Sequence, residues 1–262
     1  MRAEERLVTV EREGHLAIVT INRAERLNAL SNLLADQLAS TAIELSGDAD
    51  VWVVLLTGAG DKAFCVGADL KERAGNSFDE TRHGREVLNK LFDSWSEVPQ
   101  PTIAAVFGHT LGGGLELALC CDLIIAAEGT SLGLPEARAG LVPAGRGTWR
   151  LSHAVGPAIS RRMVFTGHPI DAAEALRSGL VSAVVPRSEL LGSAKAMGAE
   201  MTANSPFALR HAKGLLRAAS VSNEPTLRTL EQEAWLAVAQ SSDRVEGIAA
   251  FNDKRAPSWA NG

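Results

Sequence analysis

Glu116 and Glu136 are the residues of this chain best placed for chemistry, because each stands beside a glycine-containing turn. Glu116 closes the run Gly108-His109-Thr110-Leu111-Gly112-Gly113-Gly114-Leu115-Glu116, and Glu136 closes Leu132-Gly133-Leu134-Pro135-Glu136. A further turn lies upstream in Phe64-Cys65-Val66-Gly67-Ala68-Asp69-Leu70-Lys71. Glycines let a ligand approach the backbone closely. A helix start behind them offers unpaired N–H groups and the positive end of a dipole, where a negative oxygen is stabilised. Two carboxylates with two such turns are the equipment for acid–base chemistry beside a carbonyl group. Glu116 is flanked by Leu115, Leu117, Ala118 and Leu119. A carboxylate buried in an apolar helix is costly, which favours a working role. Glu136 alone is unremarkable, since an acid after proline at a helix start is ordinary dipole chemistry.

The elements that must hold these turns can be read from periodicity. Leu7–Val10 and Leu16–Ile21, joined at Glu13-Gly14, read as a hairpin. Ser31 caps a helix through Leu33, Leu34, Leu38, Ile43 and Leu45. The runs 51–57, 102–106 and 122–127 are continuously apolar or nearly so, as strands buried on both faces are. A helix around Arg82–Trp95 gathers Val87, Leu88, Leu91, Phe92 and Trp95 on one side. The triple glycine starts a helix, Leu115–Cys121. Beyond Arg146 the chain reads as helices at 157–165, 171–178, 189–203, 206–218 and 226–239, with one short strand at 180–185. The expected class is α/β, repeating strand, loop and helix, with reactive loops at strand ends.

Three other patterns compete for function and fall short. Gly58-Ala59-Gly60-Asp61-Lys62-Ala63 fits a dinucleotide fingerprint, but no periodic helix follows it. Gly129-Thr130-Ser131-Leu132-Gly133 fits a nucleophile elbow, yet Pro135 falls where the elbow's helix should be running. Gly112-Gly113-Gly114 lacks the Gly-Lys-Ser/Thr of a phosphate loop. Cys65, Cys120 and Cys121 have no metal spacing and read as buried thiols in a reducing cytoplasm. The six histidines share no spacing, and His109 reads as pocket lining.

Composition narrows the classes. The 262 residues are 46% hydrophobic and 22% charged, as in a globular protein with a full core. A net charge of −5 leaves no electrostatic footprint for nucleic acid. No apolar run reaches the roughly 18 residues that cross a bilayer. The first six residues show no signal-peptide pattern.

Taken together, these stretches resemble the enoyl-CoA hydratase/isomerase (crotonase) family. The matching pieces are Ile21-Asn22-Arg23, Leu27-Asn28-Ala29-Leu30, Phe64–Glu72, Pro101–Asp122, Leu134–Leu151 and Phe251-Asn252-Asp253-Lys254-Arg255, in family order along nearly the whole chain. The resemblance implies a crotonase-like spiral of ββα units over residues 1–200, and a helical C-terminal region for trimerisation over 201–262. Homotrimers, or hexamers made of two trimers, are expected. The substrate would be an acyl-CoA, with no metal and no cofactor beyond the coenzyme A that the substrate itself carries. Its thioester oxygen would lie between the N–H groups of Ala68 and Gly113. Ala68, Asp69, Leu70 and Lys71 would line the pantetheine path, with Arg23 or Arg26 at the adenosine end and Lys254 reaching a neighbouring subunit's CoA.

In hydratases of the family, the acid matching Glu116 activates water and the acid matching Glu136 protonates Cα. Many isomerases keep only the second. This chain has both, twenty residues apart as in hydratases. The implied activity is therefore hydration of a trans-2-enoyl-CoA to a 3-hydroxyacyl-CoA. An isomerase on the same scaffold and a catalytically weak acyl-CoA-binding protein are the alternatives.

Two departures stand out. Glu25 occupies a position often basic in the family. Ala144-Gly145-Arg146-Gly147-Thr148 replaces a run richer in glycine, so that Arg146 puts a cation near Glu136. Arginine is seldom buried unpaired, which favours a solvent-facing Arg146. Facing inward, it would suit a polar or acidic acyl tail. Leu70, Leu91, Phe92, Trp95 and Trp149 are candidates for an acyl wall, with core packing the commoner role for such residues.

Overall fold

The computed structural model describes residues 6–262, so the reading of the N-terminal residues 1–5 as free of a signal peptide lies outside it. Strands β1 (Val8–Glu13) and β2 (Leu16–Ile21) form the expected antiparallel hairpin. Helix α1 (Asn32–Ser46) follows, capped by Ser31, whose Oγ accepts from Leu34 N at 3.2 Å. Then a three-part motif recurs. β3 (Val53–Gly58) leads to β4 (Ala63–Cys65) and α2 (Phe78–Glu97). β5 (Thr102–Val106) leads to β6 (His109–Leu111) and α3 (Gly113–Ala118). β7 (Leu123–Ala127) leads to β8 (Ser131–Gly133) and α4 (Gly147–Thr166), which breaks at Gly156 just before Pro157. The remaining elements are β9 (Ile170–Asp171), α5 (Ala172–Arg177), β10 (Ala183–Val185), α6 (Leu190–Thr202), α7 (Pro206–Ala219), α8 (Glu224–Ala239) and α9 (Ser242–Asp253).

Each three-part motif puts one strand in each of two sheets. The larger sheet runs β1-β2-β3-β5-β7-β10, parallel except at its first pair. The smaller runs β4-β6-β8-β9, parallel through β8. This is the α/β spiral of ββα units with a helical C-terminal end. The small sheet has no counterpart in the periodicity reading. Its strands are two or three residues long, too short to show alternation, and they border the glycine turns. Helix α9 also went unread, because Gly247 and polar residues interrupt its apolar pattern.

The small sheet matters most for function. Its register sets Leu111 beside Gly133 and Cys65 beside Thr110, and Gly112 N donates to Gly133 O at 2.9 Å. The turns after β4, β6 and β8 therefore leave the sheet side by side.

Helix α6 packs on β2, β3, β5 and β7 of the large sheet. Helix α7 is tied to the core by buried Lys213, whose Nζ donates to Gln100 O at 2.8 Å and pairs with Asp122 at 2.6 Å. Helix α8 buries none of its residues. The α7–α9 region exposes Leu216, Val221, Trp235, Val245, Ile248 and Phe251.

Candidate active site

The Gly67 turn and the start of α3 meet backbone to backbone. Gly67 has a φ of 87°, and a Cβ there would lie 2.8 Å from Gly113 N and 3.0 Å from Leu111 O. Only glycine fits such a contact. A Cβ on Gly113 would lie 3.7 Å from Ala68 N, so the Ala68 and Gly113 N–H groups are neighbours. Gly113 is the first residue of α3, hence its N–H has no acceptor inside the helix. Leu30 holds the opposite side of the turn: Leu30 N donates to Gly67 O at 2.8 Å, and Asp69 N donates to Leu30 O at 3.1 Å. Two adjacent backbone donors are the equipment that stabilising a negative oxygen requires.

Asp69 stabilises this loop with its side chain. Its carboxylate accepts from Arg23 Nη1 at 2.7 Å, Lys71 N at 3.1 Å and Glu72 N at 3.3 Å. Burial works to raise its pKa, but Arg23 and the two N–H groups outweigh this and lower it. Arg23 also donates to Ala29 O, and its N–H donates to Asn28 Oδ1. Buried Asn28 in turn donates to Ala59 O and Ala63 O. Arg23 and Asn28 thus knit the N-terminal loop to the Gly67 turn, a role the sequence pattern did not assign.

Outside this lock lies a cleft of about 360 Å³, lined by Glu25, Arg26, Leu27 and Ala29 together with Val66 and residues 68–71. Five of the expected CoA contacts meet here: Ala68, Asp69, Leu70, Lys71 and Arg26. Arg23 is spent on Asp69 and does not line the cleft, whose cations are Arg26 and Lys71, with Glu25 beside them. Lys254 lies elsewhere, exposed at the C-cap of α9.

The Glu116 side chain is buried in a cradle built by the loop before α4. Gly147 N donates to its Oε1 at 3.0 Å. A Cβ on Gly147 would stand 2.7 Å from Oε1, and one on Gly145 would stand 2.4 Å from Oε2 and 2.3 Å from the Phe92 ring. The two glycines around Arg146 are therefore a space requirement of the carboxylate. Burial raises the Glu116 pKa, against the N–H groups of Gly147 and Gly145 and the Arg85 cation, which lower it.

Glu136 begins a one-turn 3-10 helix after β8. Its Oε1 lies 3.1 Å from where a Gly112 Cβ would be, next to the Gly113 donor. Its Oε2 is buried without a hydrogen-bond partner. Burial pushes this carboxyl up to about 7, helped by repulsion from Glu116, although its own backbone N–H opposes the shift.

Arg146 adopts a left-handed φ of 72° and pairs with Asp93 of α2, and half-buried Arg85 donates to Ala144 O. Leu91, Phe92 and Trp95 are core residues, while Leu70 and Trp149 are exposed. The rejected motifs are structural turns: residues 59–62 bend from β3 into β4, and Ser131 opens β8. All three cysteines are buried free thiols, and burial pushes Cys65 up to about 12. Among the described residues, no group of three or more His, Cys, Asp or Glu could hold a metal ion, and no helix is long and apolar enough to cross a membrane.

The chain as a whole is similar to known proteins. A sequence profile described as enoyl-CoA hydratase/isomerase matches residues 11–262. A probable enoyl-CoA hydratase of Mycobacterium tuberculosis is 39% identical over 257 residues, covering 97% of this chain and 98% of that protein. The short-chain-enoyl-CoA hydratase of Clostridium acetobutylicum is 38% identical over 248 residues, covering 95% of each chain. The crystal structure of enoyl-CoA hydratase from Bacillus anthracis superposes with a TM-score of 0.95 at 37% identity, covering 98% of this chain and all of that one.

Proposed function

The chain belongs to the enoyl-CoA hydratase/isomerase family, and from that premise we propose that it is a hydratase converting a trans-2-enoyl-CoA to a 3-hydroxyacyl-CoA. The observation that carries this reading is the pair of unequal carboxylates around one oxyanion-binding turn. Burial raises the Glu116 pKa, but two backbone N–H groups and a cation pull it back toward the ionised form that a general base uses. Glu136 has an unpartnered buried oxygen that favours its protonated form, as a general acid needs.

The thioester oxygen would sit between the N–H groups of Ala68 and Gly113. Those donors stabilise negative charge there, which makes Cβ electrophilic. A water held by Glu116 attacks Cβ and gives Glu116 its proton. The electron pair of the double bond moves toward the thioester, and the enolate carbon Cα takes the proton of Glu136. The product is neutral overall, and transfer of one proton from Glu116 back to Glu136 resets the site. No oxidant, reductant or metal enters this balance, and coenzyme A is part of the substrate.

Pantetheine would follow the cleft of Ala68–Lys71, with Arg26 near its phosphates. Two relatives named as hydratases support the reaction. An isomerase would need one carboxylate to move a proton between carbons, and the elaborate cradle of Glu116 argues for a second. The exposed apolar residues of α7–α9 support self-association as a homotrimer or a dimer of trimers, which would bring Lys254 toward a neighbouring CoA. A cytoplasmic location fits three free thiols.

The test is the ultraviolet absorbance of the conjugated thioester. Crotonyl-CoA should lose it as water adds. A 3-enoyl-CoA that instead gains it, with no loss from crotonyl-CoA, would make the protein an isomerase. No change with either, alongside intact binding, would make it an acyl-CoA-binding protein.

A further inference from the structure

Around Gly84 of α2 stand two guanidinium groups, of which Arg73 has donors to spare. Arg73 Nε and Nη2 are buried and have no hydrogen-bond partner. Neither Arg73 nor Arg85 forms an ion pair within 4.0 Å among the described residues. The other two arginines of this neighbourhood are satisfied: Arg23 by Asp69 and Arg146 by Asp93. The acids nearest Arg73 in charge are Glu72 and Asp69. Both are engaged elsewhere, Glu72 by Asn32 N at 3.2 Å and Asp69 by Arg23.

Position ties the two cations to the acyl end of the site. Arg73 lies along α2 where Gly84 leaves room, its Cζ 3.9 Å from where a Gly84 Cβ would be. The same spot holds Asn32 Oδ1, another buried atom without a partner. Arg85, the next residue along α2, reaches across to Ala144 O, in the loop that cradles Glu116. It is close enough to Glu116, Arg146 and Arg73 for their charges to act on one another. The pantetheine cleft enters along residues 68–71, and Glu116 lies one helical turn beyond Gly113. An acyl tail continuing past Glu116 would meet the α2 side, where Arg85 acts on the Glu116 charge. Burial disfavours the charge of both arginines, yet a guanidinium keeps its proton at working pH. An anion is the group that such a site lacks, and a planar carboxylate fits the guanidinium fork best.

We propose that Arg73, with Arg85 beside it, forms a carboxylate-binding subsite, so that the preferred substrate is an enoyl-CoA whose acyl tail carries a carboxylate. This rests on the hydratase reading for the reaction, though not for the binding. It also places the acid preference on Arg73 and not on Arg146, whose charge Asp93 already answers.

The experiment compares two saturated, unreactive thioesters, glutaryl-CoA and butyryl-CoA, by calorimetry on the full-length protein. The unmodified protein should bind glutaryl-CoA at least about tenfold tighter, as a charge-assisted contact provides. Arg73→Met should remove that preference, Arg73→Lys should restore part of it, and added salt should shrink it. Equal binding of the two thioesters by the unmodified protein would overturn the subsite. So would an equal loss of both in Arg73→Met, since Arg73 would then act on the CoA common to them. Hydration of crotonyl-CoA and of glutaconyl-CoA by the unmodified protein is measured alongside. Absence of both with the glutaryl preference intact would sink the hydratase reading alone, and hydration of either without that preference would sink the subsite alone.

Discussion

The region around Glu116 and the region around Glu136 hold the same functional group in different surroundings. Glu116 lies on a helix, deep in the core, with Gly145 and Gly147 shaped to its oxygens and Arg85 within electrostatic reach. Glu136 lies on a short turn above Gly112, and its Oε2 receives nothing. Burial acts on both. The difference is compensation: donors offset part of the cost at Glu116, and none aimed from another residue does so at Glu136. Unequal compensation therefore biases two carboxylates of the same chemistry differently, Glu136 more toward its protonated form.

Glutamine is the sharpest way to break the comparison. Glu116→Gln and Glu136→Gln should each lower kcat by at least about 10²-fold, the lower end of general acid–base effects. Binding of butyryl-CoA should hold in both. Near-normal hydration in either variant would remove that residue from the mechanism.

A gentler probe touches the Glu116 cradle alone. Gly147→Ala places a Cβ 2.7 Å from Oε1, so the carboxylate must shift. Misplacement of a catalytic group by this sort of distance costs on the order of 10²-fold or less in kcat. The pKa that kcat/KM reports for Glu136 should stay where it was. A variant as active as the parent would show that the cradle does not position Glu116.

The pH profile tests the other side. Glu136 works protonated and has a pKa of about 7, so kcat/KM should fall as pH rises through about 7. Stability moves the same way. The folded state keeps a proton that the unfolded chain loses near 4.5, so folding weakens as pH rises from there to about 7. Glu136→Gln should flatten that part of the stability curve, measured as Tm against pH. An unchanged slope would place the Glu136 carboxyl at its ordinary value.

Arg146→Gly should have the smallest effect. It gives up a partly exposed ion pair with Asp93, worth at most about 1 kcal/mol. It also relieves a side chain at a left-handed φ of 72°. Stability should change by no more than about 1 kcal/mol, and kcat/KM for neutral and acidic enoyl-CoAs should shift alike. A selective loss on the acidic substrate would move the anion preference back to Arg146.

How far the chain could be read without coordinates depended on the range of the signal. Glu116 stood out because a carboxylate amid leucines is costly within its own helix, and the glycine turns stood out because their composition is local. The hairpin, the long helices and the buried strands of the large sheet were legible because periodicity repeats over many residues. The small sheet was not, since strands of two or three residues carry no period.

By itself, then, the sequence determined which residue types were available: two acids, two turns with close-approach glycines, a lysine and arginines near the cleft, and a family order linking them. Only the tertiary structure decided how they divide the work. It spent Arg23 on Asp69 and Arg146 on Asp93, left the Arg73 donors without partners, and set Gly145 and Gly147 around Glu116 while leaving a Glu136 oxygen bare. The physical reason is that a charge is governed by what lies within a few ångströms of it, and here those neighbours are far away along the chain, 46 positions in the case of Arg23 and Asp69.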